Sequence, residues 1–331
     1  MTKRAYQNIK FKAVDGVYLR GRLYPAAQRG PAVVMSPGYN VTLDQFPPGV
    51  PEEFQKANIT ALVYDPRNTG KSGGLPRNDI DPFKQAEDYS DAFCYLSTLD
   101  YVDPKAIVFW GISLSSGIAL SAASVDKRIA AVIAVAPIFK FLPVTEADSQ
   151  RLKKMLMKDR ESQILHENPP YYLPIAESLN QIPFNSHVNA NPDPDEIARK
   201  QKEEEEMRRQ QEMWEREAAE DGADFDPSLT HNPYGTTMQS YHRMFLFEPV
   251  PEAMTMEVSP TPLMFVTPEQ DQISPPQKQT AVFEAAQGPK RQCFAPGKEH
   301  IWVLHGPEMP MLLKWQTDFI WQVVRGDITQ K

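Results

Sequence analysis

The spacing of apolar residues divides the chain into stretches of different predicted structure. Residues 6–14 and 17–24 alternate between apolar and polar with a period of two, and the Asp15-Gly16 pair between them favours a tight turn, so they predict a β-hairpin. Further on, short apolar runs lack alternation, at residues 31–36, 59–64, 106–109 and 130–136. Such runs are typical of strands covered on both faces, and they predict a parallel sheet between layers of helices.

Helical segments separate these strands. Residues 44–56 predict a helix that has prolines near its start. Asp81-Pro82 combines a favoured N-cap residue with a first-turn proline, and predicts a helix that extends to about Leu99. The regular exchange of strand and helix from residue 31 onward predicts a doubly wound α/β domain.

This exchange stops after Pro137 and resumes only towards the C-terminal end. The interval includes the most charged run of the chain, 195–226, in which glutamates stand four residues before arginines. That order stabilises a helix and predicts one that lies in solvent; a helix that binds a partner is the alternative. We therefore predict a cap, residues 138–258, inserted into a core domain made of residues 1–137 and 259–331.

The last segments complete the predicted core. Apolar runs at 262–267 and 291–295 predict two more strands, and residues 275–286 predict a helix between them. The spacing of large apolar residues from Pro310 onward predicts a terminal helix. A length of 331 residues suits one α/β domain that carries a large insertion.

Composition and charge remove several classes of function. A net charge of −8 offers no basic surface for nucleic acid. The chain has no stretch of eighteen apolar residues, which predicts no membrane span. Residues 1–7 lack the apolar segment of a signal peptide, and the two cysteines, Cys94 and Cys293, have no metal-ligand spacing. We therefore expect a reduced, cytoplasmic protein. Its oligomeric state stays open, and a dimer is one of the alternatives.

Candidate chemistry centres on Gly111-Ile-Ser113-Leu-Ser115, where an apolar strand gives way to small, helix-compatible residues. A strand that turns sharply into a helix lifts the hydroxyl at the turn above the sheet, as in the G-x-S-x-G nucleophile elbow. Gly111 supplies the small residue before the serine, whereas Ser115 replaces the second glycine and adds one hydroxymethyl group. We predict that the turn survives this change and that Ser113 is a nucleophile.

A nucleophilic serine needs a histidine to accept its proton and a carboxylate to orient that histidine. The loops after the last two predicted strands contain Asp271 and His300 respectively. Both loops follow the carboxyl ends of strands, where doubly wound sheets place their sites. We predict Asp271 as the acid and His300 as the base. Glu269 is the alternative acid, and His305 is the less favoured histidine because it approaches the terminal helix.

Two other kinds of site are not supported by the sequence. No group of histidines, cysteines and carboxylates has metal-ligand spacing, and no cofactor is implied. Asn68-Thr-Gly-Lys-Ser72 matches only the tail of the phosphate-binding loop of nucleotide-binding proteins, so we do not expect phosphate binding.

The oxyanion that forms when a serine attacks a carbonyl needs two main-chain N–H donors. Leu114, the residue after the nucleophile, opens the predicted helix and supplies one donor. Tyr39, in the loop after the strand at 31–36, supplies the other. Tyr241 and Phe245 near the end of the cap are predicted to line a pocket for an apolar acyl chain; packing of the cap onto the core is the alternative.

Segments spread over the predicted core form a further pattern. The principal ones are Ser36-Pro-Gly-Tyr39, Tyr64-Asp-Pro-Arg67, Asp81-Pro-Phe-Lys-Gln-Ala-Glu-Asp88, Trp110-Gly-Ile-Ser113 and Ala122-Ala-Ser-Val-Asp126-Lys-Arg128. Together they resemble the fungal polyketide transferase/thiohydrolase family of α/β-hydrolases. The resemblance implies an α/β-hydrolase fold, a mostly parallel doubly wound sheet with an inserted, mainly helical cap. It also implies Ser113 as nucleophile, Asp271 as acid and His300 as base. Relatives tend to have Gly-Gly before the histidine, where this chain has Lys298-Glu299.

We therefore predict a serine acyl hydrolase that releases a polyketide-type acyl chain from a thioester in fungal secondary metabolism, through an acyl-enzyme. Acyl transfer to an alcohol, a general carboxylesterase and a non-catalytic binding module are the alternatives, in that order. The acyl thioester is either a small molecule or bound to a carrier. The predicted cap contains four basic residues close together: Lys153, Lys154, Lys158 and Arg160. They can face the acidic surface of a polyketide synthase acyl carrier domain, and the alternative is that they form a solvated face.

Overall fold

The computed structural model describes residues 5–139, 146–174 and 235–328, together with five single positions between the last two ranges: Glu205, Arg208, Arg209, Glu212 and Arg216. The charged run 195–226 therefore lies almost wholly outside the described residues. Arg209 and Glu205, two of the five, form an ion pair of 2.6 Å across four positions, as their spacing predicts. Within the described ranges, no helix is long and apolar enough to cross a membrane.

An eight-stranded sheet forms the centre of the molecule, in the order β1-β2-β4-β3-β5-β6-β9-β10, and β7 pairs with β8 in a separate two-stranded sheet. The strands are β1 Gln7–Lys12, β2 Tyr18–Tyr24, β3 Gly30–Ser36, β4 Thr60–Tyr64, β5 Val102–Ile112, β6 Ala131–Val135, β7 Tyr172–Pro174, β8 Gly235–Thr237, β9 Leu263–Pro268 and β10 Lys290–Ala295. From β4 to β10 all neighbours are parallel, whereas the predicted hairpin β1–β2 is antiparallel and joins β4 in antiparallel register.

Outside residues 138–258, the described helices alternate with the strands from β3 onward, as predicted. They are α1 Gly49–Lys56, α2 Pro82–Ser97, α3 Leu114–Val125, α4 Glu146–His166, α5 Met238–Phe247, α6 Val250–Met256, α7 Pro276–Ala285 and α8 Met309–Arg325. Asp81 caps α2 as predicted, because its side chain accepts hydrogen bonds from the main-chain N–H groups of Phe83 and Lys84.

Two predicted boundaries are wrong. The helix predicted over 44–56 begins only at Gly49, because Pro47 and Pro48 lack N–H donors and disfavour the helical conformation of the residue before each of them. The strand predicted over 106–109 extends from Val102 to Ile112. This extension arises because β5 pairs along the whole of β3, past one irregularity near Gly30.

Two apolar layers cover the opposite faces of the sheet. On β5, Ile107 and Phe109 face the layer that α2, α3 and α7 contribute, whereas Val108 and Trp110 face the layer of α1 and α8. Successive side chains of a strand point to opposite faces, so a strand buried on both faces must be apolar at every position. This explains why the central strands show apolar runs without alternation.

A buried ion pair ties the loop after β4 to α2. The Arg67 guanidinium donates to both oxygens of Asp88, from Nε at 2.8 Å and Nη2 at 2.5 Å, and to Asp15 in the hairpin turn at 2.6 Å. The Asp88 side chain is fully buried. Among the described residues, the cation that faces this carboxylate is Arg67, which also anchors the hairpin.

Arg67→Leu is expected to lower the free energy of unfolding by about 3–5 kcal/mol, because it leaves the Asp88 carboxylate buried without its cation. Urea unfolding of the variant and of the parent chain measures the loss. The matched control is Arg325→Leu, which breaks a pair with Asp327 whose side chains are 59% and 56% exposed; it should cost no more than about 1 kcal/mol. Equal losses in the two variants would contradict the interpretation.

Candidate active site

The turn between β5 and α3 has the strained geometry of a nucleophile elbow. Ser113 lies between the two elements with φ 59° and ψ −123°, a conformation that non-glycine residues rarely adopt. A Cβ atom on Gly111 would lie 2.2 Å from the main-chain oxygen of Ser115, so only glycine fits there. The strain lifts the Ser113 hydroxyl out of the sheet, at the carboxyl end of its central strand.

Ser115, which replaces the second glycine of the motif, adds contacts to the turn. Its hydroxyl oxygen accepts a hydrogen bond from the Ile112 N–H at 2.8 Å. The same hydroxyl can donate to the main-chain oxygen of Ser36 at 2.7 Å or to that of Ile112 at 2.9 Å. These hydrogen bonds tie the elbow to the end of β3. The turn also keeps its geometry with serine in place of the second glycine, as predicted.

Three predicted side chains meet at this turn. The Nε2 atom of His300 lies 2.8 Å from Ser113 Oγ, and its Nδ1 atom lies 2.8 Å from Asp271 Oδ2. Asp271 and His300 are 3% and 5% exposed, so water competes little for these hydrogen bonds. An imidazole that donates from Nδ1 to the carboxylate presents its Nε2 lone pair to the serine hydroxyl.

The two alternative residues lie elsewhere. Glu269 uses its Oε2 atom to accept the main-chain N–H of Gly297 at 3.0 Å, and so holds the loop after β10. His305 stacks edge-on against Trp302 with ring centroids 5.1 Å apart. Among the described hydrogen bonds, none joins Glu269 to His300 and none joins His305 to Ser113.

The loop before His300 is braced despite its departure from the Gly-Gly of relatives. Lys298 donates from Nζ to the main-chain oxygen of His305 at 2.7 Å and pairs with Glu308 at 2.6 Å. Its main-chain oxygen accepts the N–H of Gln270 at 2.9 Å, which links this loop to the loop that contains Asp271. The lysine and its neighbours therefore stabilise the loop from which His300 projects.

Both predicted oxyanion donors adjoin Ser113. Leu114 is the first residue of α3, and the N–H groups of a helix's first turn have no acceptor within the helix. The loop after β3 passes so close that a Cβ atom on Gly38 would lie 3.2 Å from Ser113 Cβ. Tyr39 is the next residue of this loop.

The Tyr39 side chain connects this loop to β8 and α5, which belong to the predicted cap. Its hydroxyl lies 2.6 Å from Thr236 Oγ1 on β8, and its ring meets that of Tyr241 edge-on at 6.4 Å. Burial raises the pKa of both phenols above the ordinary value, so both stay protonated. The position of the loop is therefore coupled to that of the cap.

Other polar contacts also join α5 and β7 to the segment that follows β4. Arg243 on α5 pairs with Asp79 at 2.7 Å. The Ser240 hydroxyl accepts the Ile80 N–H at 2.8 Å, and the Tyr172 hydroxyl donates to the main-chain oxygen of Arg77 at 2.9 Å. These contacts all reach the segment of the core between residues 77 and 81.

A small, mainly apolar cleft lies beside Leu114, with a volume of about 10 Å³, the space of about one water molecule. Among the described residues it is lined by Leu114, Ile138, Phe139, Met244, Phe247, Glu248 and Pro251. The predicted pocket residues do not line it: Tyr241 lies against Tyr39, and Phe245 packs with the α4 side of the cap, 5.2 Å below the Lys153 ammonium. Sequence reasoning missed Met244 and Phe247, although their spacing of three places them on one face of a helix.

The four basic residues on α4 are exposed. Lys153 lies over Phe245, and Arg160 donates to Gln239 Oε1 at 3.2 Å, so two of the four contact α5.

Among the described residues, no three histidine, cysteine or carboxylate side chains group as metal ligands do. The arrangement can therefore activate a serine by way of a histidine and a carboxylate, next to an apolar cleft.

Comparison with known proteins agrees with this geometry. Residues 31–307 match the family described as alpha/beta hydrolase fold. Acyltransferase drtE of Aspergillus calidoustus is 37% identical over 98% of each chain. A thiohydrolase of Eupenicillium brefeldianum is 39% identical over 95% of this chain and 93% of its own, and polyketide transferase ATR5 of Stachybotrys chlorohalonatus is 38% identical over 96% and 98%.

Two solved structures are also similar. DcsB, in complex with its substrate analogue, has a TM-score of 0.76 at 31% identity, over 96% of this chain and 99% of its own. The α/β-hydrolase GrgF from Penicillium sp. sh18 has a TM-score of 0.75 at 33% identity, over 97% and 99%. With relatives this similar over nearly its whole length, the chain belongs to the fungal polyketide transferase/thiohydrolase family of α/β-hydrolases.

Proposed function

We propose that the chain is a serine acyl hydrolase that cleaves the thioester of a polyketide-type acyl chain. The observation that carries the proposal is the hydrogen-bonded series Ser113, His300 and Asp271 on a strained elbow. The named activities of the relatives, thiohydrolase, acyltransferase and polyketide transferase, support an acyl thioester or ester as substrate. In fungal secondary metabolism such chains are made on polyketide synthases, and we place the enzyme in the cytoplasm with them.

Acylation starts with the attack of Ser113 Oγ on the thioester carbonyl carbon. His300 Nε2 takes the hydroxyl proton across 2.8 Å, and Asp271 holds the ring and stabilises the imidazolium. The main-chain N–H groups of Leu114 and Tyr39 hold the oxyanion. The tetrahedral intermediate then expels the thiolate, which receives the proton from His300, and leaves an ester on Ser113.

Deacylation repeats these steps with a new nucleophile. Water gives the free acid, whereas an alcohol gives an ester and makes the enzyme an acyltransferase. Both require His300 to remove a proton from the attacking hydroxyl within about 3 Å of the acyl carbon. Because water needs no dedicated acceptor site, we place hydrolysis first. Transfer is the second candidate, since relatives named acyltransferase and polyketide transferase match as well as the thiohydrolase does.

We propose that the acyl chain lies under the cap, residues 138–258, and that residues 1–137 and 259–331 form the core domain. The apolar side chains that line the small cleft beside Leu114 support this placement by their character and position, since they adjoin the proposed oxyanion donor. Tyr241 and Phe245 stay candidates for the more distant part of the pocket. The carrier of the thioester, an acyl carrier domain among the candidates, would meet the exposed basic face of α4.

Product analysis tests the proposal. The enzyme is incubated with a panel of acyl thioesters, with and without alcohols, and products are separated by mass spectrometry. We expect free acid as the main product in both cases and an acyl-enzyme at Ser113. A thioester that stays intact until an alcohol is added would reverse the order of hydrolysis and transfer. Failure of a fluorophosphonate to label Ser113 would favour a binding module without catalysis.

A further inference from the structure

The carboxylate of Asp271 receives four hydrogen bonds, one of them from a residue that no motif includes. Its Oδ1 atom accepts the main-chain N–H groups of Ile273 at 2.9 Å and Ser274 at 2.8 Å. Its Oδ2 atom accepts His300 Nδ1 at 2.8 Å and also the side-chain amide of Gln279, from Nε2 at 3.0 Å. The oxygen that faces the histidine is therefore shared with a glutamine.

Gln279 is oriented by its acceptors. It lies on α7 and is fully buried. Its Nε2 atom also donates to the main-chain oxygen of Ser274 at 2.6 Å, so both amide hydrogens are used. Its Oε1 atom is buried and accepts no hydrogen bond from any described residue.

The reverse orientation of this amide is unfavourable. It would bring the Oε1 atom to within 3.0 Å of Asp271 Oδ2 and 2.6 Å of the Ser274 oxygen, both of which are acceptors. A buried amide with one unused end is uncommon, since buried polar atoms are nearly always paired. The site therefore uses this glutamine for its donors, one of which meets a charged group.

We infer that Gln279 is a positioning residue for the acid of the triad, an inference that rests on the proposed roles of Ser113, Asp271 and His300. The main-chain N–H groups hold Oδ1, and Gln279 holds Oδ2, so the carboxylate cannot turn about its Cβ–Cγ bond. Gln279 also takes up part of the negative charge on Oδ2 and so moderates its pull on the imidazolium.

Both effects predict kinetic consequences for Gln279→Leu. We expect kcat to fall by about ten- to a hundredfold, the range for groups that orient functional histidines in metal sites. KM should not change, because Gln279 is buried and lines no part of the described cleft. The shape of the kcat/KM profile against pH should also change, because the carboxylate oxygen that faces the imidazole loses a donor that neutralises part of its charge.

Gln279→Glu tests the donor itself. The new side chain has almost the same shape, but when ionised it places a second negative charge beside Asp271. We expect kcat to fall as pH rises through the pKa of the introduced carboxyl group, and to recover below that pKa, where the protonated carboxyl donates to Oδ2. A residue that only packs would give no such recovery.

Gln292→Leu is the matched control. The Gln292 amide donates to Thr267 Oγ1 at 2.9 Å and Thr280 Oγ1 at 3.0 Å, so it ties α7 to β9 without touching the acid. We expect a lower melting temperature with parental kcat and pH profile. If this variant reproduces the kinetic loss of Gln279→Leu, the glutamine acts only by fixing α7 and the inference is wrong.

Fluorophosphonate labelling of Ser113 separates this inference from the proposed function. No labelling of the parent chain would show that the proposed function fails. If the parent chain is labelled, and a folded Gln279→Leu variant is labelled at the same rate and with the same pH dependence, then the role of Gln279 is wrong. The proposed function would stand in that case. If Gln279→Leu does not fold, the Gln279→Glu profile decides, and a profile identical to the parent's overturns the inference.

Discussion

Ser113→Ala and His300→Ala are each expected to abolish thioester turnover while the fold stays intact. Members of a serine triad act as a unit, and removing one lowers kcat by up to about 10⁶-fold. The 2.8 Å contact between Ser113 Oγ and His300 Nε2 places the two on one proton-transfer path. Thiol release from an acyl thioester measures the loss, and circular dichroism checks the fold.

The control for the serine is Ser121→Ala. Ser121 lies further along α3, and its hydroxyl donates to the main-chain oxygen of Gly117 at 2.8 Å. This variant should keep parental activity, since the hydroxyl is remote from the elbow. More than about a tenth of the parental rate in either triad variant would place the nucleophile or the base on another residue.

Asp271→Asn is expected to lower kcat by about 10⁴-fold through the histidine tautomer. Two fixed main-chain N–H groups face Oδ1, whereas at Oδ2 the imidazole of His300 can change tautomer. An asparagine would therefore place its oxygen at Oδ1 and turn its NH₂ group towards His300. The imidazole would then accept at Nδ1 and hold its proton on Nε2. In that tautomer it cannot take the proton of Ser113. Steady-state kinetics of the variant give the loss directly.

Glu269→Gln is the matched control for this prediction. A glutamine keeps the oxygen that accepts the Gly297 N–H, which lies 3.0 Å from Glu269 Oε2 in the parent chain. The loop after β10 should therefore hold, and kcat should change only mildly. A large loss in this variant together with a mild loss in Asp271→Asn would assign the acid to Glu269.

Local features of the site were predictable because they depend on neighbours in the chain. The elbow needs a small residue at Gly111 and a strand that turns into a helix, and both follow from a few consecutive residues. The cap of α2 at Asp81 has the same local origin. Conversely, the predicted start of the helix at residue 44 was wrong because two prolines outweighed the apolar pattern.

Other features could not be read from the chain. Gln279 carries no motif, and only its burial and its contact with Asp271 single it out. Met244 and Phe247 lie on α5, as Tyr241 and Phe245 do, but they point in other directions around the helix axis. Which of the two pairs faces the cleft depends on how α5 packs on the core. The link from Tyr39 to Thr236 likewise spans 197 positions of sequence.

The sequence by itself determined the class of fold, the order of strands and helices outside residues 138–258, and the residue types available at each strand end. These follow from apolar periodicity and turn chemistry, which act over a few residues. Only the tertiary structure decided which side chains meet: Ser113 and His300 are 187 positions apart, and Asp271 and His300 are 29 apart. The parallel sheet brings the carboxyl ends of its strands to one edge, and there the packing of loops selected Asp271 over Glu269 as the neighbour of His300.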